Sequence, residues 1–303
     1  MTQPCPFPAQ FDGQSADYLH WRDARLTRQA KGPCLPIMLS PGATDNQPGQ
    51  LQICRDVKIY GFAIYEWSEP AGNPSQDLMA LHADLSLQTF DPGVVHDDNG
   101  LSLLTDLSGT DQGQFIPYTS RAMSWHTDGY YNTTEQSLGC FTLHCINPAL
   151  SGGTLTLLDH QLVLIALYDN NPELVALLAH PQAMTLPANK DTLGHNRPDR
   201  HSPVLFMRTD GTPGAHFTTR SKNIDWRTPD TLAAANTMKT LIDEHADWHF
   251  SIRLKSGQGV ITRNILHRRE AYTDHPDSPR KMLRGRYMQS PQCALTANVT
   301  TGS

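Results

Sequence analysis

The chain has 303 residues, a formal net charge of −6, 38% apolar residues and 14 histidines. That length admits one large domain or two ordinary ones, with a core that needs no staples. The acid excess argues against a nucleic-acid face, no apolar run nears the roughly 18 residues of a membrane span, and Met1–Gln10 lacks a basic segment followed by an apolar one, so the expectation is a cytoplasmic protein acting on a small molecule.

Residues 1–50 are rich in Pro, Gln and Gly, with one short helix predicted around Tyr18–Gln29. Val57–Trp67 reads as a strand of mixed burial. Asn73-Pro74 opens a helix, because Asn caps and Pro suits the first turn, and Leu78, Leu81 and Leu85 mark its buried face. Residues 91–117 are loop-rich. From Met123 onward short apolar strands follow one another: Gly139–Cys145, Thr154–Leu158, Val204–Met207, Phe250–Leu254, Val260–Arg263 and Leu283–Met288. Two helical insertions interrupt them, one from His160 through Leu178 and one opening at Thr228-Pro229. The Gly152-Gly153 pair and the Gly257–Gly259 segment look like strand turns. Many short strands with few helices predict a mainly β fold with helical decorations, a sandwich or jelly roll. Strand signals on both sides of the 160–180 helices favour one β core. The expected division is 1–56 as an N-terminal extension packing on the core, 57–290 as the core domain and 291–303 as a tail.

The six cysteines, Cys5, Cys34, Cys54, Cys140, Cys145 and Cys293, form no C-x-x-C pair and read as reduced thiols. Most histidines read as bland: His82 and His245 on helices at or near the surface, His160 in a polar context. His144 and His216 are weighed as neighbours of a site, and Trp125 as packing behind one.

Trp125-His126-Thr127-Asp128 is the sharpest local feature. Residues two apart on an extended segment point the same way, so an imidazole and a carboxylate can reach one ion. That is two thirds of a two-His-one-carboxylate facial triad, which leaves positions open on a non-haem Fe(II). A third ligand must come from far along the chain, and His267, just after a predicted strand, is the best candidate. Arg280-Lys281-Met282-Leu283-Arg284 follows shortly after. A guanidinium fork suits a carboxylate, and a strand places Arg280 and Arg284 on one face.

This order of motifs resembles the Fe(II)- and 2-oxoglutarate-dependent dioxygenases of the taurine dioxygenase superfamily. WHTD (125–128) is similar to that family's first motif, NILHRREAY (264–272) to its distal-histidine motif, and RKMLR (280–284) to its arginine motif. SGGTLTLLD (151–159) resembles the family's Gly-Gly-Asp-Thr stretch without the Asp, with Thr154 on the cosubstrate-binding Thr. A closer resemblance is to the gamma-butyrobetaine hydroxylase branch, carried by PYTSRAMSWHTD (117–128), FTLHCINPALSGGT (141–154), DNNPEL (169–174) and the run from Lys255 to Tyr272. Tyr118 falls on one aromatic of that branch's trimethylammonium cage, and Tyr287 on another. The cage tryptophan has no counterpart in 95–116, and Cys5, Cys34 and Cys54 lack the spacing of the branch's zinc-binding N-terminal domain, which speaks against a betaine substrate.

The resemblance implies a double-stranded β-helix of the clavaminate synthase-like type, Fe(II) on His126, Asp128 and His267, 2-oxoglutarate on Arg280 and Thr154, O₂ as oxidant, and release of succinate and CO₂. Related halogenases carry a small residue in place of the carboxylate, so Asp128 speaks against halogenation; hydroxylation is the expected outcome, with desaturation and ring closure as alternatives. Relatives form dimers or higher assemblies, so self-association is an expectation from the resemblance alone. The substrate is expected to be a small polar or anionic metabolite gripped by Arg284, with Arg286 and Arg220 nearby and Tyr118, Tyr130 and Tyr131 lining the pocket or packing its rim. Two rivals use the same residues: a zinc-dependent hydrolase and a non-catalytic jelly-roll binding protein.

Overall fold

Two packed sheets organise the chain. The computed structural model describes residues 15–29, 35–43, 46–91, 100–190, 196–220 and 224–293. Ten strands build the two sheets: β1 (Ile37–Leu39), β2 (Phe62–Trp67), β3 (Ser102–Leu104), β4 (Met123–His126), β5 (Cys140–Asn147), β6 (Leu155–Leu158), β7 (Phe250–Ile252), β8 (Gln258–Thr262), β9 (Leu266–Arg269) and β10 (Lys281–Tyr287). The larger sheet has the order β1-β2-β8-β5-β10-β3 and the smaller β7-β6-β9-β4. Consecutive strands repeatedly switch sheets, as in a jelly roll.

Alternation along each strand sorts the core. On β5, Phe141, Leu143 and Cys145 enter the space between the sheets with Leu155, Leu157, Val260 and Met282. Cys140 faces the opposite way, with Leu283 and Tyr287 from β10, onto helices α2 (Gln47–Tyr60) and α3 (Pro74–Asp84), which supply Ile53, Val57, Leu78 and Leu81. The outer face of the smaller sheet, through Trp125, Leu158 and Leu266, packs on α4 (His160–Asn170), α5 (Pro172–Leu178) and α6 (Pro229–Glu244). The N-terminal helix α1 (Ala16–Gln29) joins this layer through Tyr18.

Helix starts follow the sequence signals. Asn73, Asp159, Asn171 and Thr228 each accept a backbone N–H with the side chain at the head of α3, α4, α5 and α6. One expectation is corrected: residues 57–60 are not strand but the last turn of α2, which runs across the expected 56/57 division. Pro48 and Gly49 disguise this helix in the sequence, yet Pro sits in its first turn, where no N–H is needed. Gly61 ends it at φ 85°, donating its N–H to Val57 O.

The reduced-thiol reading is also corrected. Cys54 on α2 and Cys293 beyond β10 form a disulfide across a separation of 239 residues, which no local pattern could announce. Cys140 and Cys145 are free and buried, while Cys5 and Cys34 lie outside the described residues. His82, expected at the surface or half-buried, is fully buried and bonded through Nδ1 to Tyr287 Oη at 2.7 Å. His160 is buried too, on Pro213 O at 2.9 Å. Among the described residues no helix is long and apolar enough to cross a membrane.

A buried ion-pair cluster ties α1 to the β core. Asp159 Oδ2 accepts from Arg263 Nη2 at 2.9 Å and lies 3.3 Å from Arg25 Nη1. Burial works against the Asp159 carboxylate, but Arg263 and then Arg25 outweigh it and hold the carboxyl below its ordinary range. This contribution to stability is present above the unfolded carboxyl's pKa of about 4 and is lost as pH falls through the lower folded value. Asp159→Ala is expected to lower unfolding stability at neutral pH by about 3–5 kcal/mol in urea denaturation, because Arg263 is left buried without its carboxylate. A loss under about 1 kcal/mol would show that the pair does not hold α1 to the core.

Candidate active site

The site lies between the sheets, where β4, β9 and β10 converge. His126 ends β4, and His267 is its direct cross-strand partner on β9. Leu266 and Trp125 face the outer helices, so alternation turns both histidines inward. Asp128 follows His126 by two residues and joins them: the ligand atoms of His126, Asp128 and His267 all lie within 4.8 Å of one another.

Hydrogen bonds fix which atoms face inward. His126 Nδ1–H donates to Ser124 O at 2.8 Å and His267 Nδ1–H to Ile265 O at 3.0 Å. A carbonyl only accepts, so each Nδ1 carries a proton, and in the neutral ring the lone pair is then on Nε2. Asp128 Oδ1 stands 3.6 Å from His126 Nε2 and 3.9 Å from His267 Nε2, too far for good hydrogen bonds but suited to three ligands around one ion. Burial, and then His126, lower the His267 pKa to about 3, which keeps this imidazole in its ligating neutral form at neutral pH. Burial opposes ionisation of Asp128, but Arg284, His126 and Arg286 hold its carboxyl well below the ordinary range. Asp128 Oδ2 is buried without a hydrogen-bond partner, facing Arg284 Nη1 at 3.7 Å and Arg286 Nε at 4.0 Å. Two imidazoles and one carboxylate, with three atoms already oriented, fit a facial Fe(II) site.

Two cavities meet at Asp128 and Arg284. The inner one, about 50 Å³, runs between apolar walls that include Phe141, Leu143, Leu254 and Met282. Its other lining residues include His267, Arg269 and Arg280. Arg280 is buried and its Nη1 has no hydrogen-bond partner. The rings and guanidinia stack here: Arg269 and Arg280 each lie 4.9 Å from the Tyr272 ring centroid. Arg269 Nη2 also donates to Thr119 O at 2.7 Å and to Arg121 O. An unpaired buried guanidinium N–H on an apolar cavity fits the distal carboxylate of a 2-oxo dicarboxylate. Thr154 lines neither cavity, whereas its neighbours Gly153 and Leu155 line the inner one.

The outer cavity is larger, about 360 Å³, and brings together Tyr118, Tyr130, Tyr131 and Arg284. Arg197, Arg220 and Arg286 line it as well. Arg286 is already engaged, with Nη2 on Asp91 at 2.6 Å and Nη1 on Tyr131 Oη at 2.9 Å. Arg197 is half-buried and oriented by backbone carbonyls, with Nη2 on Pro187 O at 2.7 Å and Nη1 on Leu186 O at 3.1 Å. Nothing in its sequence context marks Arg197 or Arg269 as a site residue; only the folded chain brings them in. Tyr287 is not a cage member, because β10 turns it to the other face, onto His82. His144 likewise faces away, bonded to Tyr65 Oη at 2.9 Å, and His216 is bonded to Ser202 Oγ at 2.8 Å.

The family described as taurine catabolism dioxygenase TauD, TfdA family matches residues 69–286. A uridine-5'-phosphate dioxygenase from a Streptomyces species is 25% identical over 252 residues, covering 78% of this chain and 88% of the relative. A second uridine-5'-phosphate dioxygenase, from an Amycolatopsis species, is 22% identical over 270 residues, covering 86% and 96%. Among solved structures, asparagine oxygenase superposes with a TM-score of 0.60 at 15% identity, covering 93% of this chain and 87% of that one. The chain belongs to the TauD/TfdA family and is an oxidoreductase, a dioxygenase that uses Fe(II), 2-oxoglutarate and O₂.

Proposed function

We propose that His126, Asp128 and His267 hold the Fe(II), that Arg280 binds the distal carboxylate of 2-oxoglutarate, and that the outer cavity receives a phosphate monoester of nucleoside type for hydroxylation. The convergence of His126 Nε2, His267 Nε2 and Asp128 Oδ1 beside a cavity lined by Asp128, His267 and Arg280 carries this reading. With its cosubstrate and O₂, bound Fe(II) supplies oxidative decarboxylation to succinate and CO₂ and the oxidising equivalent for a C–H bond.

The protein's own part is placement. Phe141, Leu143 and Leu254 give the inner cavity apolar walls. Arg284 lies between the two cavities and shares its charge with Asp128, and Arg286 shares its charge with Asp91. The charge available to a substrate anion therefore sits further out, on Arg197 and Arg220. Tyr130 and Tyr131 stand edge to face, with centroids 5.4 Å apart, and offer ring surfaces to a flat base. The two relatives named for uridine-5'-phosphate support the same ligand class. Four arginines around the outer cavity suit an anion far better than the trimethylammonium of the gamma-butyrobetaine branch. We further assign the β core from β2 onward as the catalytic unit, with α1, β1 and α2 as an extension that packs on it and ends at Gly61 rather than at residue 56; the pairing of β1 with β2 and the Arg25–Asp159 ion pair support the packing.

Succinate release is expected to rise with uridine-5'-phosphate and not with uridine. Arg197→Ala and Arg220→Ala are each expected to raise the KM for the nucleotide about 10–100-fold, the worth of one charge-assisted contact, with the 2-oxoglutarate KM unchanged. If uridine and its phosphate stimulate equally, the phosphate reading is wrong.

A further inference from the structure

Asp128 lies just outside β4, in a turn, where strand pairing cannot fix its backbone. Asn264 does so instead. Its Oδ1 accepts the Asp128 N–H at 3.0 Å and its Nδ2 donates to Asp128 O at 2.9 Å, so one side-chain amide satisfies both backbone groups of one residue. The same Nδ2 lies 3.3 Å from Leu138 O. Asn264 is buried and sits where the chain crosses from β8 in the larger sheet to β9 in the smaller, three residues before His267. Its backbone is left-handed, at φ 51°, a region that Asn tolerates better than most side chains, and its own N–H is held by Thr262 Oγ1 at 3.1 Å.

We infer that Asn264 is a positioning residue for the metal site: it clips the backbone of Asp128 to the crossover that carries His267, so that Asp128 Oδ1 keeps its place between the two Nε2 atoms. Arg284 and Arg286 face only the other oxygen, Oδ2, and cannot set the backbone. This inference rests on the reading of His126, Asp128 and His267 as the metal ligands.

A purely local role makes a different prediction. If Asn264 served only its left-handed turn, glycine would replace it without loss, because glycine adopts that backbone freely. A clip is lost with the side chain. The test uses the 303-residue chain stripped of metal and titrated anaerobically with Co(II), followed by its visible absorption, with circular dichroism and thermal melting as controls. Asn264→Gly is expected to fold and to bind Co(II) about 10–100-fold more weakly, the usual effect of removing a group that orients a ligand. Asn264→Asp keeps the acceptor for the Asp128 N–H and a residue type suited to the turn, but sets a carboxylate against the carbonyls of Asp128 and Leu138. It is expected to weaken Co(II) binding as well, and it decides the matter if the glycine variant does not fold. Unchanged affinity in a folded Asn264→Gly, or in Asn264→Asp where glycine fails to fold, overturns the inference. Failure of both variants to fold also overturns it, since Asn264 then serves the fold. His126→Ala separates the two levels: if it too binds Co(II) like the wild type, the metal assignment has failed, whereas loss in His126→Ala with no loss in Asn264→Gly removes only the role of Asn264.

Discussion

Asp128→Ala is expected to abolish both the visible charge-transfer band of the anaerobic Fe(II)–2-oxoglutarate complex and the release of succinate on adding O₂. Asp128 is the one anionic group among the three candidate ligands, and its loss leaves two imidazoles that face each other at a ring separation of 4.1 Å. The loss also strands the buried Arg284, which is paired with Asp128 Oδ2, while Arg286 keeps Asp91 and Tyr131. A guanidinium left beside the metal position opposes a cation directly, so the variant loses a ligand and gains a repulsion. Several kcal/mol are at stake, a fall of more than about a thousandfold in turnover. His126→Ala tests the same centre without exposing the arginines. A band of wild-type intensity in either variant, or unchanged succinate release, would remove those residues from the metal site and reopen the zinc-hydrolase and binding-protein readings.

How much of this was legible in the sequence depends on distance along the chain. His126 and Asp128 stand two apart, and that spacing alone argues for one ion. His267 could be found only through the order of motifs, since its cross-strand pairing with His126 is a property of the folded sheet. Arg280 and Arg284 were legible because a strand repeats every two residues, and both reach the inner cavity. Helix α2 was not, because Ile53 and Val57 are the only two apolar core residues it buries and Pro48 and Gly49 precede them. The disulfide, the burial of His82 and the arrival of Arg197 at the outer cavity depend on pairings between remote segments, which periodicity cannot report. Asn264 falls between these cases. It stands inside a motif read for its histidine, and the two hydrogen bonds of its side chain to the Asp128 backbone, visible only in the folded chain, mark it as more than a spacer.

Arg280→Ala is expected to raise the dissociation constant of 2-oxoglutarate about 100–1000-fold while leaving turnover at saturating cosubstrate much closer to normal. The inner cavity has apolar walls, so a carboxylate that enters it must find its hydrogen bonds from the residues that interrupt those walls. Arg280 has an unpaired buried Nη1 at the tip of its fork, whereas in Arg269 it is Nε that is unpaired, and the tip is committed through Nη2 to two backbone carbonyls. Burial, and then the neighbouring Arg280, lower the Arg269 pKa to about 10, which still leaves it charged at neutral pH. Its charge therefore remains in the variant and attracts the cosubstrate without the paired contact. A charge-assisted hydrogen bond contributes about 1.5–3 kcal/mol, and a forked pair reaches the larger end of the expected change. Arg280→Lys restores the charge but not the fork, and should recover only part of the affinity. Titrating the anaerobic Fe(II) protein with 2-oxoglutarate measures the constant, and steady-state succinate release gives the turnover. If Arg280→Ala leaves the constant unchanged while Arg269→Ala raises it, the anchor is Arg269, and Arg280 is there to hold Tyr272 from its other side.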